Sequence, residues 1–272
     1  MKKIAIASTI GLALLSASIT AASANQTLSD RVAFRFGPFF PSFDTTVKVG
    51  NQEQSYEDYL DDSATTGAVD VAWRISKHTR MDFSYWAVNR DDTKSLDTSV
   101  PIGPINVPAG TSIGATFDTS LLSAAFGWSF VSTDTTEFGA NIGVTALSLK
   151  SELGATVPGV GEASFTAFDE TYPLPLIGLY VNQALSPMWS LSAKVAGIGL
   201  SIGDDFDGTV VKAGGSVEFR PWQNVGFGLA YLYNDADATL KNAGDSGRDI
   251  AVKWNYAGPF AYLTLGFGEV NK

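Results

Sequence analysis

The chain of 272 residues contains no cysteine and one histidine, His78, and beyond residue 24 it has no run of about 18 or more apolar residues. Without cysteine there is no disulfide framework, and an oxidising compartment poses no hazard of stray thiols. Without a long apolar run after residue 24 there is no transmembrane helix. Positive charge is also scarce: 18 Lys and Arg stand against 28 Asp and Glu, a formal net charge of −10. Binding to nucleic acid needs a basic patch on the phosphates, so this balance argues against nucleic acid as a partner.

The first residues supply a context for these shortages. Lys2 and Lys3 precede an apolar run from Ile4 to Ile19 and the small-residue exit Ala22-Ser23-Ala24. Positive, hydrophobic and small in that order is the plan of a secretory signal peptide, so residues 1–24 read as signal and 25–272 as the exported domain. An exported chain that is rich in Gly and aromatics and lacks a membrane helix is a soluble β protein or a barrel.

The stretch from Asn224 to Phe267 favours the barrel. Val225, Phe227, Leu229, Tyr231 and Tyr233 alternate with Gly226, Gly228, Ala230 and Leu232, and the chain closes on Ala261, Leu263, Leu265 and Phe267 in the same rhythm. Period two means strands with one apolar face. The apolar residues are large, and those between them are mostly Gly, Ala, Ser or charged, which suits lipid outside and a crowded interior within. The pattern recurs at Val32–Phe36, Val69–Ile75, Met81–Tyr85, Leu122–Phe130, Phe138–Val144, Leu174–Asn182, Trp189–Val195 and Val211–Phe219. Long loops, 51–63, 91–116 and 151–171, alternate with tight turns such as Ser76-Lys77-His78-Thr79 and Pro221-Trp222-Gln223-Asn224. That asymmetry belongs to outer-membrane barrels, whose outer loops are long and periplasmic turns short.

The count predicts an all-β, antiparallel, up-and-down transmembrane barrel of about ten strands, with eight or twelve as the neighbouring even alternatives. Two places strain the pattern. Pro173 and Pro175 lack the N–H that a ladder needs and are expected at a rim or a bulge. Ile250, Val252, Trp254 and Tyr256 have the opposite parity from Leu263, Leu265 and Phe267, which predicts a bulge near Gly258-Pro259.

If the large apolar residues face lipid, the lumen receives Arg31, Arg35, Asp70, Arg74, Asp82, Glu137, Asn141, Lys194, Lys212 and Glu218. Charges in a narrow interior are expected to pair, because a lone buried ion is costly. Ten strands leave no wide aqueous channel, so the barrel is expected to be plugged or very narrow. No catalytic residue is assigned. His78 sits in a predicted periplasmic turn beside Lys77 and near Arg80, away from the outer rim where barrel enzymes of the outer membrane keep their histidine. Asp204-Asp205-Phe206-Asp207-Gly208 offers carboxylates but not the twelve-residue spacing of a calcium loop, so no metal site and no cofactor is assigned.

Arg31-Val32-Ala33-Phe34-Arg35-Phe36-Gly37-Pro38-Phe39-Phe40-Pro41, the hairpin Trp73-Arg74 to Tyr85, the turn from Phe219-Arg220-Pro221 to Asn224, and the closing Gly258-Pro259-Phe260 to Phe267 resemble a group of little-characterised proteobacterial outer-membrane barrels. That group is broadly similar to OmpA-like and OmpW-like proteins. The chain departs from the common pattern by continuing with Gly268-Glu269-Val270-Asn271-Lys272 after its last strand aromatic, Phe267. A barrel of this class is expected in the cell outer membrane, in contact with membrane lipids and lipopolysaccharide and handled by the barrel assembly machinery. The expected role is a non-enzymatic narrow pore or carrier for small or apolar solutes. A structural or surface-interaction barrel whose acidic loops bind lipopolysaccharide or partner proteins is the alternative.

Overall fold

The computed structural model describes residues 25–49, 52–55, 62–95, 100–102, 105–107, 109–157, 161–202, 206–243 and 248–270. The segment read as a signal peptide lies outside them, as do most of the acidic loop 53–62 and residues Asp204 and Asp205. A short helix, α1 (Gln26–Ser29), precedes the strands β1 (Asp30–Phe39), β2 (Ser42–Val49), β3 (Gln52–Ser55), β4 (Thr66–Arg74), β5 (Thr79–Ser95), β6 (Val100–Ile102) and β7 (Ile105–Val107). After these come β8 (Ser112–Ser132), β9 (Thr136–Val157), β10 (Gly161–Ala184), β11 (Trp189–Ile202), β12 (Phe206–Phe219), β13 (Val225–Ala243) and β14 (Arg248–Glu269). No helix among the described residues is long and apolar enough to cross a membrane.

Ten of the strands pair in the order β1-β4-β5-β8-β9-β10-β11-β12-β13-β14, and β14 returns to β1, closing an antiparallel barrel. Closure leaves every strand with a neighbour on each side, which lipid demands because it offers the backbone no hydrogen bonds. β2 carries on the pairing to β14: Phe39 faces Phe260 and Ser42 faces Ala257, so one register runs across the break at Phe40-Pro41. β3 adds to the free side of β2, and β6 and β7 form a small separate hairpin.

The bulge expected near Gly258-Pro259 is absent. β14 pairs with β13 in unbroken register from Leu265 opposite Val225 to Ile250 opposite Leu240. The interruption lies instead in the neighbouring strand, at Phe40-Pro41, where the β14 backbone passes so close that a side chain at position 258 would run into the Phe40 carbonyl. Glycine is required there by contact, and the Phe40 N–H donates to the Pro259 carbonyl at 3.0 Å. Pro173 and Pro175 do lie in β10, but above the point where its pairing with β11 stops, at Ile177 opposite Gly197. In that segment β10 pairs with β9 alone, so one side of the strand asks for no donor.

Several strands are far longer than a bilayer requires. β9 has 22 residues and β10 has 24, roughly 70–80 Å of strand, where about 9–11 residues suffice to cross. The stretches 91–95, 112–116, 151–157 and 161–171, read from sequence as loops, are therefore extensions of these strands beyond the membrane. The membrane wall itself carries an outward band that includes Phe34, Trp73, Phe126, Trp128, Ile142, Ile177 and Leu229, all exposed. Such a continuous apolar exterior is stable only against hydrocarbon.

Large apolar residues also fill the outer half of the lumen, against the expectation that they would face only lipid. Phe39, Phe43, Trp86, Trp254, Tyr256 and Phe260 are all buried inside. Phe39 meets Trp86 edge-on at 5.6 Å between centroids and Tyr256 at 6.0 Å. Trp86 stacks on Trp254 at 6.3 Å and meets the edge of Tyr256 at 4.9 Å. Arg90 lies over the Phe43 ring at 4.3 Å and the Phe117 ring at 5.2 Å, a cation held by aromatic faces. The parity change in β14 that suggested a bulge is the signature of this aromatic layer. We expect Phe39→Ala to cost about 3–5 kcal/mol of unfolding free energy, transfer plus cavity. Lipid-facing Phe36→Ala is expected to cost about 1.5–3 kcal/mol, without the cavity contribution. Urea unfolding of the two variants in lipid vesicles, followed by tryptophan fluorescence, checks this, and equal losses would contradict the interior packing of Phe39.

Candidate functional site

The periplasmic half of the lumen is built from the face opposite the lipid band. Alternation places Arg35, Asp70, Arg74, Arg80, Asp82 and Glu137 inward because their neighbours in each strand are the apolar residues of the outer wall. The side chains divide into two ion-pair networks that cross the barrel. In the first, Arg35 donates from Nε to Glu218 at 2.9 Å and from Nη1 to Asp70 at 3.2 Å. Lys194 approaches Asp70 from the far wall at 3.6 Å. Glu218 also accepts from the Thr27 hydroxyl at 2.8 Å and the Thr264 hydroxyl at 3.0 Å. In the second, Glu137 accepts from Arg74 at 2.7 Å, Arg80 at 3.4 Å, Asn182 at 3.0 Å and Ser129 at 2.9 Å. Arg80 also donates from Nε to Asp82 at 3.1 Å and lies over the Tyr180 ring at 4.9 Å.

Helix α1 plugs the end. Its capping residue Asn25 accepts from the Thr27 N–H at 3.0 Å and donates to the Ser186 carbonyl at 2.7 Å, tying the segment to the β10–β11 turn. Arg74 donates to the carbonyls of Thr27 at 2.9 Å and Asp30 at 3.2 Å. Asp30 pairs with the buried Arg220. The tail beyond Phe267 joins in, since the Val270 N–H donates to the Ser29 carbonyl at 3.0 Å. The plug and both networks together close the periplasmic mouth.

Of the residues assigned to the lumen by sequence, Arg35, Asp70, Arg74, Asp82, Glu137, Lys194 and Glu218 stand in these networks, and Lys212 stands above them. Arg31 is exposed, and at the start of β1 it is Asp30 that is buried, paired with the buried Arg220. Asn141 lines the cavity described next. Arg80, Arg220 and Asp30 were not picked out from sequence because they flank turns or the strand start. Parity carried the signal for two of them: Arg80 is two residues from Asp82, and Arg220 two from Glu218. His78 is exposed at the β4–β5 turn, with its Nδ1 2.9 Å from the Ser129 carbonyl and its ring stacked on Trp128.

Between the charged floor and the aromatic roof lies a cavity of about 240 Å³. Its lining includes Asp70, Lys194 and Lys212 below and Leu121, Leu176, Trp86, Tyr256 and Phe260 above. Lys212 spans the lumen to donate to Thr145 at 2.9 Å and Ser123 at 3.3 Å. Glycines make room for rings packed against the wall. A side chain at Gly228 would collide with the Tyr262 ring, and one at Gly139 with Tyr180.

No protein-family model matches the chain, and no curated protein matches it. Solved structures do. The outer membrane protease OmpT from Escherichia coli superimposes with a TM-score of 0.56 at 11% identity, over 87% of this chain and 96% of that one. The P. putida toluene transporter TodX aligns with a TM-score of 0.36 at 9% identity, over 89% and 91% of the two chains. Ail, the attachment invasion locus protein of Yersinia pestis, gives 0.27 at 8% identity, over 86% and 99%. The chain has the fold of an outer-membrane β-barrel. At these identities the likeness is one of fold alone, and the lumen has to be read from its own residues.

The networks make Glu137 the most connected carboxylate of the floor. Replacing it with Leu leaves Arg74 without its carboxylate, and loss of one partner of a buried pair costs about 3–5 kcal/mol. Glu137→Leu should lower the urea midpoint of the refolded barrel accordingly. A midpoint equal to that of the parent would show that the floor contributes nothing to stability.

Proposed function

We propose that this barrel is a non-enzymatic carrier for small apolar solutes, which lodge in the chamber under the aromatic roof. The observation that carries this reading is the cavity of about 240 Å³, walled above by Leu121, Leu176, Trp86, Tyr256 and Phe260 and closed below by paired charges. An apolar cavity of about 150 Å³ is enough to take up benzene. A one-ring molecule therefore fits with room to turn. Free flow of ions is disfavoured because the charged groups of the floor are engaged with one another and with α1.

Within the outer-membrane barrels we place the chain beside the small OmpA-like and OmpW-like kind, on the sequence likeness of its first hairpin and last strand. Its partners under this reading are outer-membrane lipids, lipopolysaccharide and, during biogenesis, the barrel assembly machinery. Nucleic acid has no place in it, since the net charge is −10.

The test uses the full mature barrel refolded in vesicles, with toluene as probe and the emission of Trp86 and Trp254 as signal. Saturable quenching is expected. Filling the chamber by Leu176→Trp should weaken toluene binding by about tenfold, equivalent to about 1.4 kcal/mol. In a planar bilayer the same protein should show no discrete openings. Large steady conductance, or toluene binding indifferent to Leu176→Trp, would sink the proposal.

A further inference from the structure

Five cations of the periplasmic half have a carboxylate within reach: Arg35, Arg74, Arg80, Lys194 and Arg220. Lys212 does not. Among the described residues its ammonium is held only by the hydroxyls of Thr145 and Ser123, which are neutral acceptors and bond each other at 2.8 Å. The Lys212 strand position is enclosed by the barrel wall, and its charge projects into the cavity. Lys194 faces the same space with its side chain 58% exposed, so an entering molecule can reach it. Asp70, the acid within reach of Lys194 among the described residues, is already shared with Arg35. A cavity with one uncompensated cation at its floor and an aromatic roof is complementary to a molecule with one negative charge and an apolar body.

We propose that the chamber binds small aromatic or aliphatic monocarboxylates, with the carboxylate on Lys212 and Lys194 and the apolar body against Leu121, Leu176 and Tyr256. This rests on the chamber being a solute site and adds the class of solute. A carboxylate gives the ammonium a charge-assisted bond where it otherwise has only neutral hydroxyl acceptors, whereas a neutral ring leaves Lys212 as it was. One surplus cation favours one carboxylate; a second would meet Asp70 and Asp82. Inorganic anions gain nothing from the apolar roof.

Benzoate and toluene are the probes, since they share a ring and differ in a carboxylate against a methyl. Both are titrated into the refolded full barrel by tryptophan fluorescence and calorimetry, in the parent and in Lys212→Met. That variant strands no carboxylate, and Ser123 and Thr145 keep each other, so it should fold; its heat-modifiable migration in gels checks this. The expected result is benzoate binding about ten- to a hundredfold tighter than toluene, equivalent to about 1.4–2.8 kcal/mol. The advantage should vanish in Lys212→Met while toluene binding is unchanged. Toluene binding with no benzoate advantage, or a benzoate advantage that survives Lys212→Met, overturns the monocarboxylate assignment and leaves the apolar carrier intact. If neither probe binds, the carrier reading falls and this one with it.

Discussion

Lipid offers the backbone no hydrogen bonds, and the rest of this molecule follows from meeting that constraint with strands. β14 carries the largest share: it pairs with β13 along most of its length, with β1 toward the periplasm and with β2 toward the outside. Once ten strands are closed, the lumen is too narrow to be a water-filled duct and too wide to be empty. Side chains must fill it, and two fillings are used. Toward the periplasm the filling is ionic, and toward the outside it is aromatic.

The ionic filling tolerates burial because few of its charges stand alone. Glu137 gathers two arginines and two neutral donors, and Glu218 gathers an arginine and two hydroxyls. Each is close to the hydrogen-bonding capacity of a carboxylate. The pairs also hold the plug, since Arg74 binds the α1 backbone and Thr27 binds Glu218. Rigid closure below and a chamber above are therefore consequences of one arrangement, and Lys212 sits at the boundary between them.

Strand number and the lipid-facing sets were legible in the sequence because alternation reports which residues share a face. Val69, Val71, Trp73 and Ile75 point away from Asp70, Ala72 and Arg74 in any pairing. Alternation does not report what lies against a face. Trp254 and Tyr256 look the same whether they meet lipid or the barrel interior, so an aromatic roof and a change of register leave the same pattern in the sequence. Nor could the pairing of Arg35 with Glu218 be read, because the two lie 183 residues apart, on β1 and β12, and meet only once the barrel closes. Arg80 and Arg220 were legible in principle from parity, but their places beside turns drew them into the turns.

The β10–β11 ladder ends at Ile177 and Gly197 while both strands run on outward. Above that level the wall has a seam, and β10 presents one unshielded border of backbone groups. Such a border is a template on which a strand of another molecule can grow. Pro173 and Pro175 occupy this stretch, and their missing N–H groups deprive an incoming strand of regular bonds. The two prolines thus leave that border without a regular row of donors, which makes it a poor template for strand addition.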